Sequence, residues 1–169
     1  MVSAVTSQEG RLVTLHRTYL SLDGRKADVL APRKLMPYPE GCKLAGCAIR
    51  LAEARSELGI AEGIETALAV QMMTGTPIWA AGSATLLETF DPPTPIEKLT
   101  IWADRDQSGR GEKAAQRLKE RLARRGLAVE VRLPPIVSNA KKVSINCFPM
   151  RAMPPEIPPS PPLRKGGSC

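Results

Sequence analysis

The sequence predicts an α/β fold: a parallel four-stranded sheet with helices on both faces, preceded by a small β-rich N-terminal extension. Three observations predict it. Strand-like and helix-like segments alternate as β-α-β-α-β-α-β from Leu58 to Leu133. The strand segments are short and almost continuously apolar, as strands buried on both faces must be. Acidic residues, Glu62 and Asp104, stand directly after two of those strands, where such sheets bind their ligands.

Each element has a local reason. Leu58-Gly59-Ile60-Ala61 is a short apolar strand ending at Glu62-Gly63. Glu65 to Thr74 is rich in helix formers, and Gly75 suits its C-terminal end. Pro77 to Ala81 reads as a second buried strand. Ser83 is a cap for the short helix ATLLETF, which stops at Asp91-Pro92-Pro93. Leu99 to Ala103 is the third strand. Gly111 to Arg125 is the longest helix, with Ala114, Ala115, Leu118 and Leu122 on one face and Gly126 after it. Leu127 to Leu133 alternates as the fourth strand, and Pro134-Pro135 stops it.

The flanks differ from this core. Residues 1–54 read as strands and turns: LVTLHRTYL is strand-like, Asp23-Gly24 is a turn, RKADVLAP is a candidate returning strand of a hairpin, and Cys47 to Leu51 is another strand. Residues 136–169 hold 7 of the 16 prolines and little periodic pattern, so they are expected to form a proline-rich tail without a fixed fold. The three divisions are therefore 1–54, 55–135 and 136–169.

Composition narrows the function. The 169 residues are 43% apolar and 24% charged, which excludes a disordered or fibrous chain as a whole. Twenty-four Lys and Arg against 17 Asp and Glu give +7, which favours nucleic acid as a partner. Charge is unevenly spread: residues 55–108 carry 3 basic and 8 acidic side chains, residues 109–135 carry 8 and 3. An acidic segment beside a basic one suits a metal-and-phosphate site. Aromatics are only 4%, against an aromatic-lined groove. No apolar run approaches a membrane span and no secretory signal pattern opens the chain, so a cytoplasmic protein with no membrane partner is expected. Cys42, Cys47, Cys147 and Cys169 lack zinc-ligand spacing and read as free thiols.

Asp104-Arg105-Asp106 is the sharpest local feature. Two carboxylates two residues apart at a strand end can point into one space, and Mg²⁺ takes such oxygen ligands together with phosphate. Glu62 occupies the equivalent point after the first strand. If those strands are neighbours, three carboxylates converge, and their mutual repulsion calls for a cation. Trp79, Trp102, Met72 and Met73 read as core, and His16 as part of a strand face. Glu65 reads as an ordinary first-turn acid.

GIAEGIETALA, IWAAGS, LTIWADRDQSGRGEKAAQRL and VEVRLPP, in that order, resemble a Toprim domain. This metal-binding module is shared by bacterial-type primases, type IA and II topoisomerases and some nucleases. Its Glu-Gly and Asp-x-Asp signatures match Glu62-Gly63 and Asp104-x-Asp106, with Gly109 following. HRTYLSLDGRKADVLAPRKLM further resembles primase-like Toprim proteins of phages, plasmids and integrated elements. The resemblance implies a DNA primase-like nucleotidyltransferase in the replication of a mobile element. Asp104 and Asp106 would bind Mg²⁺ or Mn²⁺, and Glu62 would be the catalytic or metal-organising carboxylate. Gly63 and Gly109 would permit tight turns. Arg105, Lys113, Arg117 and Arg121, with Arg124 and Arg125 beyond them, would meet nucleic-acid phosphates.

Implied partners are a single-stranded DNA template and nucleotides, with a helicase or other replication protein as a further possibility. A Toprim nuclease and a non-catalytic nucleic-acid-binding fragment are the alternatives. The chain carries neither a zinc-binding cysteine set nor a helicase phosphate loop. Tyr19 and Tyr38 have no setting that suggests a topoisomerase nucleophile. The tail does not resemble the family after Pro135.

Overall fold

The computed structural model describes residues 1–104 and 109–132. The order is β1 (Val2–Thr6), β2 (Leu12–Thr18), β3 (Arg33–Leu35), β4 (Ala48–Arg50), β5 (Glu57–Ala61), α1 (Ile64–Thr74), β6 (Ile78–Ala80), α2 (Ala84–Thr89), β7 (Lys98–Trp102), α3 (Arg110–Ala123) and β8 (Ala128–Arg132). The expected tail at 136–169 lies outside the described residues.

The expected parallel unit is present, with β5 beside both β6 and β7, and β7 beside β8. The chain starts in the middle at β5, passes through α1 to β6, then returns through α2 to β7 on the other side of β5. Ile64, Ala67 and Val70 of α1 pack with Ala61, Ile78 and Ala80 on one face. Leu87 of α2 and Ala115, Leu118 and Leu122 of α3 pack with Leu58, Ile60, Leu99 and Ile101 on the other. Alternate residues of β5 thus serve opposite helix layers, which is why the strand reads as one apolar run. The β5 and β7 connections leave towards opposite faces, opening a crevice between their carboxyl ends.

Helix ends follow the local chemistry. Ser83 Oγ accepts the Leu86 N–H at 3.3 Å and starts α2. Gly75 ends α1 in the left-handed region, and its N–H reaches the Gln71 carbonyl at 2.8 Å.

The N-terminal extension is β-rich, as expected. Its strands continue the parallel unit into one eight-stranded sheet, ordered β3-β2-β1-β4-β6-β5-β7-β8. β4 supplies the join, pairing antiparallel with β6 and with β1. β1 (VSAVT) is a strand the sequence reading missed. RKADVLAP forms no strand; it is a turn with one bridge, Leu20 to Lys26, and the partner of β2 is β3 further on. Local bonds explain this: the Ala27 N–H goes to the Tyr19 carbonyl and the Tyr19 N–H to the Pro32 carbonyl, which folds the segment back on itself.

Trp79 is core, as expected. Its indole N–H reaches the Ala52 carbonyl at 2.8 Å, and its ring meets Phe90 edge-on at 6.1 Å. Trp102 is half-buried beneath the Arg132 guanidinium. Met72 and Met73 are not core: they are 81% and 70% exposed. Only Ile64, Ala67 and Val70 of α1 are buried, a stripe at spacing three that leaves the Met pair on the solvent side. Cys42 and Cys47 are free thiols. Among the described residues, no helix is long and apolar enough to cross a membrane.

Candidate active site

Glu62 directly follows β5 and Asp104 follows β7 by two residues, and these strands are parallel neighbours with Ala61 opposite Trp102. The register brings both carboxylate-bearing residues to one end of the sheet. Gly63 begins α1 with extended backbone and is buried. A β-carbon there would stand 3.9 Å from Asp104 Oδ2 and 3.4 Å from Glu65 Oε2, so this glycine is the floor between the acids.

Two residues that the sequence reading passed over complete the arrangement. Thr66, on the first turn of α1, donates its hydroxyl to Asp104 Oδ1 at 2.9 Å. That bond fixes the carboxylate's rotation and leaves Oδ2 on the Gly63 side. Gly111 is buried on the first turn of α3. A β-carbon there would lie 2.8 Å from the Asp104 carbonyl oxygen and 3.1 Å from Glu62 Oε2. Only a hydrogen fits between the helix and the acids. The GRGE spacing was the available signal, since a glycine inside a helix costs stability and calls for a packing reason.

Gly109 lies in the left-handed region at φ 63°, directly before α3, a conformation that favours glycine. Arg105 and Asp106 lie outside the described residues. Among the described residues, no group of three His, Cys, Asp or Glu side chains forms a metal-sized cluster. Glu62 and Asp104 offer hard oxygen donors, and the bare Gly111 backbone lets the start of α3 pack directly against them. That donor set suits Mg²⁺ or Mn²⁺.

The basic helix face is engaged with the protein. Arg117 donates to both Glu88 carboxylate oxygens at 3.1 Å. Arg121 binds Asp91 at 2.7 Å and the carbonyls of Glu88 and Phe90. Arg125 also reaches Asp91 at 2.7 Å. Burial pushes the Asp91 carboxyl up, but the hydrogen bonds and charges of Arg121 and Arg125 outweigh it and hold it below its ordinary range. These contacts tie α3 to α2. Lys113, nearer the site, is exposed.

Positive charge also comes from the N-terminal strands, which the sequence reading left without a site role. A cavity of about 190 Å³ lies between Val5, His16, Arg33 and Lys34 on one side and Gly82 and Ser83 on the other. A smaller gap shares His16, Arg33 and Gly82 with it and reaches Gly63 and Glu65. Burial lowers the His16 pKa, the Arg33 charge lowers it further, and Glu65 opposes them. The buried ring is thus held towards its neutral form.

This geometry defines a class: an α/β protein with paired acids at the carboxyl ends of adjacent parallel strands and a basic flank from a second set of strands. The Toprim domain family model matches residues 57–149. The chain belongs to the Toprim domain family. The match runs past residue 135, where the sequence reading ended the resemblance. Residues 1–46 match a family described as a domain of unknown function, DUF7146. A DNA primase domain from Pseudomonas aeruginosa has a similar fold, with 19% identity and a TM-score of 0.53 over 80% of this chain and 43% of that one. The DnaG catalytic core is similar at 14% identity and a TM-score of 0.50, over 80% of this chain and 45% of that one. The chain therefore spans less than half of either structure. Comparison with curated proteins gives no match.

Proposed function

We propose that this primase-like Toprim protein performs metal-dependent nucleotidyl transfer on a nucleic-acid template, as in DNA replication of a mobile element. The observation that carries the reading is the placement of Glu62 and Asp104 at the carboxyl ends of the neighbouring strands β5 and β7, with Gly111 of α3 packed closely against both. Asp104, with Asp106, would hold Mg²⁺ or Mn²⁺. A bound divalent cation neutralises phosphate charge and orients the reacting phosphoryl group.

The chain's own residues have distinct tasks. Thr66 holds the Asp104 carboxylate in one rotamer. Glu62 takes the proton from the 3′-hydroxyl as its oxygen bonds to the α-phosphorus of the incoming nucleotide. The α–β phosphate bond breaks and pyrophosphate leaves with the electron pair. Arg33 and Lys34, on the cavity wall, meet phosphate oxygens, and Lys113 extends the basic track along α3. Arg117 and Arg121 serve chiefly to hold α3 against α2.

The test is primer synthesis on single-stranded DNA with labelled nucleotides and Mg²⁺ or Mn²⁺. Wild type is expected to make short oligonucleotides, and Asp104→Asn to make none while remaining folded. Glu62→Gln is expected to lower the rate by roughly 10²- to 10⁴-fold, the usual range for a general base. Template cleavage in place of synthesis would identify a Toprim nuclease. DNA binding that survives Asp104→Asn, with no product under either metal, would identify a binding module.

A further inference from the structure

Glu65 stands in the first turn of α1, and its two cationic partners come from the N-terminal region. Arg33 donates to both of its carboxylate oxygens at 3.0 Å, and Lys26 Nζ lies 3.2 Å away. The side chains of Glu65, Arg33 and Lys26 are 32%, 40% and 46% exposed, so solutes reach the cluster. One carboxylate faces two cations. Arg33 also lines the cavity beside Lys34, so its head group borders open space on one side and Glu65 on the other.

Ion pairs between partly exposed, long side chains are weak and exchangeable. A phosphate carries more charge and more acceptor oxygens than a carboxylate, and the guanidinium fork binds it in a bidentate fashion. We propose that Lys26 and Arg33 form an anion subsite that Glu65 fills as an internal stand-in, and that an incoming phosphate displaces the Glu65 carboxylate from them. This deepens the nucleotidyl-transfer reading and rests on it for the origin of the phosphate, which is a nucleoside triphosphate or a nucleic-acid backbone. The released carboxylate has a place to act. The position of a Gly63 β-carbon is 3.4 Å from Glu65 Oε2 and 3.9 Å from Asp104 Oδ2, so freeing Glu65 of its cations adds negative charge beside the acidic pair. Phosphate arrival therefore strengthens the cation site, and cation binding favours phosphate by the same factor.

The test is calorimetric titration of the full chain, without divalent metal, with sodium tripolyphosphate and, in a second arm, a single-stranded oligothymidylate. Glu65→Gln removes the competing charge. It is expected to tighten binding roughly 1.5- to 5-fold, the worth of one partly exposed ion pair. The gain should vanish when Lys26→Gln and Arg33→Gln are added. A gain for tripolyphosphate alone assigns the subsite to nucleotide phosphates, and a gain for the oligonucleotide alone assigns it to the strand. Unchanged or weaker binding of both probes by Glu65→Gln overturns the proposal. Should that variant misfold, the wild-type Arg33 Nε–H resonance gives an independent reading: it must shift on titration with either probe, and a resonance that stays fixed overturns the proposal. Neither readout needs turnover. A chain that makes no primer yet shows the gain refutes nucleotidyl transfer and keeps the subsite. A chain that makes primer without the gain refutes the subsite alone.

Discussion

Gly111→Ala tests whether the acidic site is shaped by the start of α3. In an unconstrained helix the change adds stability, about 0.8–1 kcal/mol, because Ala loses less backbone freedom than Gly. Here the new β-carbon would meet the Asp104 carbonyl oxygen at 2.8 Å and Glu62 Oε2 at 3.1 Å. Carbon–oxygen contacts in proteins settle near ~3.3–3.6 Å, so something must move by roughly half an ångström. Glu62 can rotate away, but the Asp104 carbonyl is main chain at the end of β7 and cannot. Overpacking of this kind costs about 1–3 kcal/mol. The two terms leave a net loss of about 0–2 kcal/mol, read as a lower urea midpoint with an unchanged slope. Activity should suffer more than stability, because displacement of a reacting group by about 1 Å can cost ~10²-fold in rate. The assays are urea unfolding and metal-dependent primer synthesis on the same preparation. A variant about 1 kcal/mol more stable than wild type, with unchanged synthesis, would refute the close approach.

Other expectations follow from the same geometry. Thr66→Val removes the donor to Asp104 Oδ1 and should weaken Mn²⁺ binding by roughly 10- to 100-fold, the usual cost of losing a partner to a ligating carboxylate; titration followed by electron paramagnetic resonance reads it. Phe90→Ala empties a fully buried ring site against Trp79 and should cost about 3–5 kcal/mol in urea unfolding. Asp91→Asn tests the latch between α3 and α2. The Asp91 pKa is lowered in the folded chain, so its stabilisation is present above the unfolded carboxyl pKa and is lost as pH falls through the folded one. Wild type should exceed Asp91→Asn by at most about 1 kcal/mol above roughly pH 5. That margin should shrink below the ordinary carboxyl range, and a margin that grows in acid contradicts the latch.

The parallel module was legible because each of its signals is local. Apolar runs of strand length end at glycine, proline or an acid, and Ser83 and Gly75 carry their own capping chemistry. The extension was not legible because its pairing is long-range. Nothing near β4 indicates that Ile49 will sit opposite Ala80, and β1 is too short and too mixed in burial to stand out. RKADVLAP has strand-like composition, yet its main-chain bonds close a local turn. Glu62 and Asp104 were readable from their place after apolar strands. Thr66 and Gly111 were not, since their roles depend on which atoms face them across the crevice. Arg117 and Arg121 were read as free charge because Glu88 and Asp91 approach them from 29 and 30 residues away.

The sheet order also constrains the sequence of events as the chain leaves the ribosome. β4 ends at Arg50, but the strand that joins it to the rest of the sheet, β6, begins at Ile78. Both parallel neighbours of β5 are likewise synthesised after it. The first fifty residues can close the β1–β2–β3 meander early, yet β1 and β4 have no central strand to dock on until about thirty further residues emerge. During that interval the apolar edge of β4 is open to other chains. Slow translation between β4 and β6 would lengthen this exposure, and the yield of soluble protein should respond to codon choice there more than in the segment encoding α3.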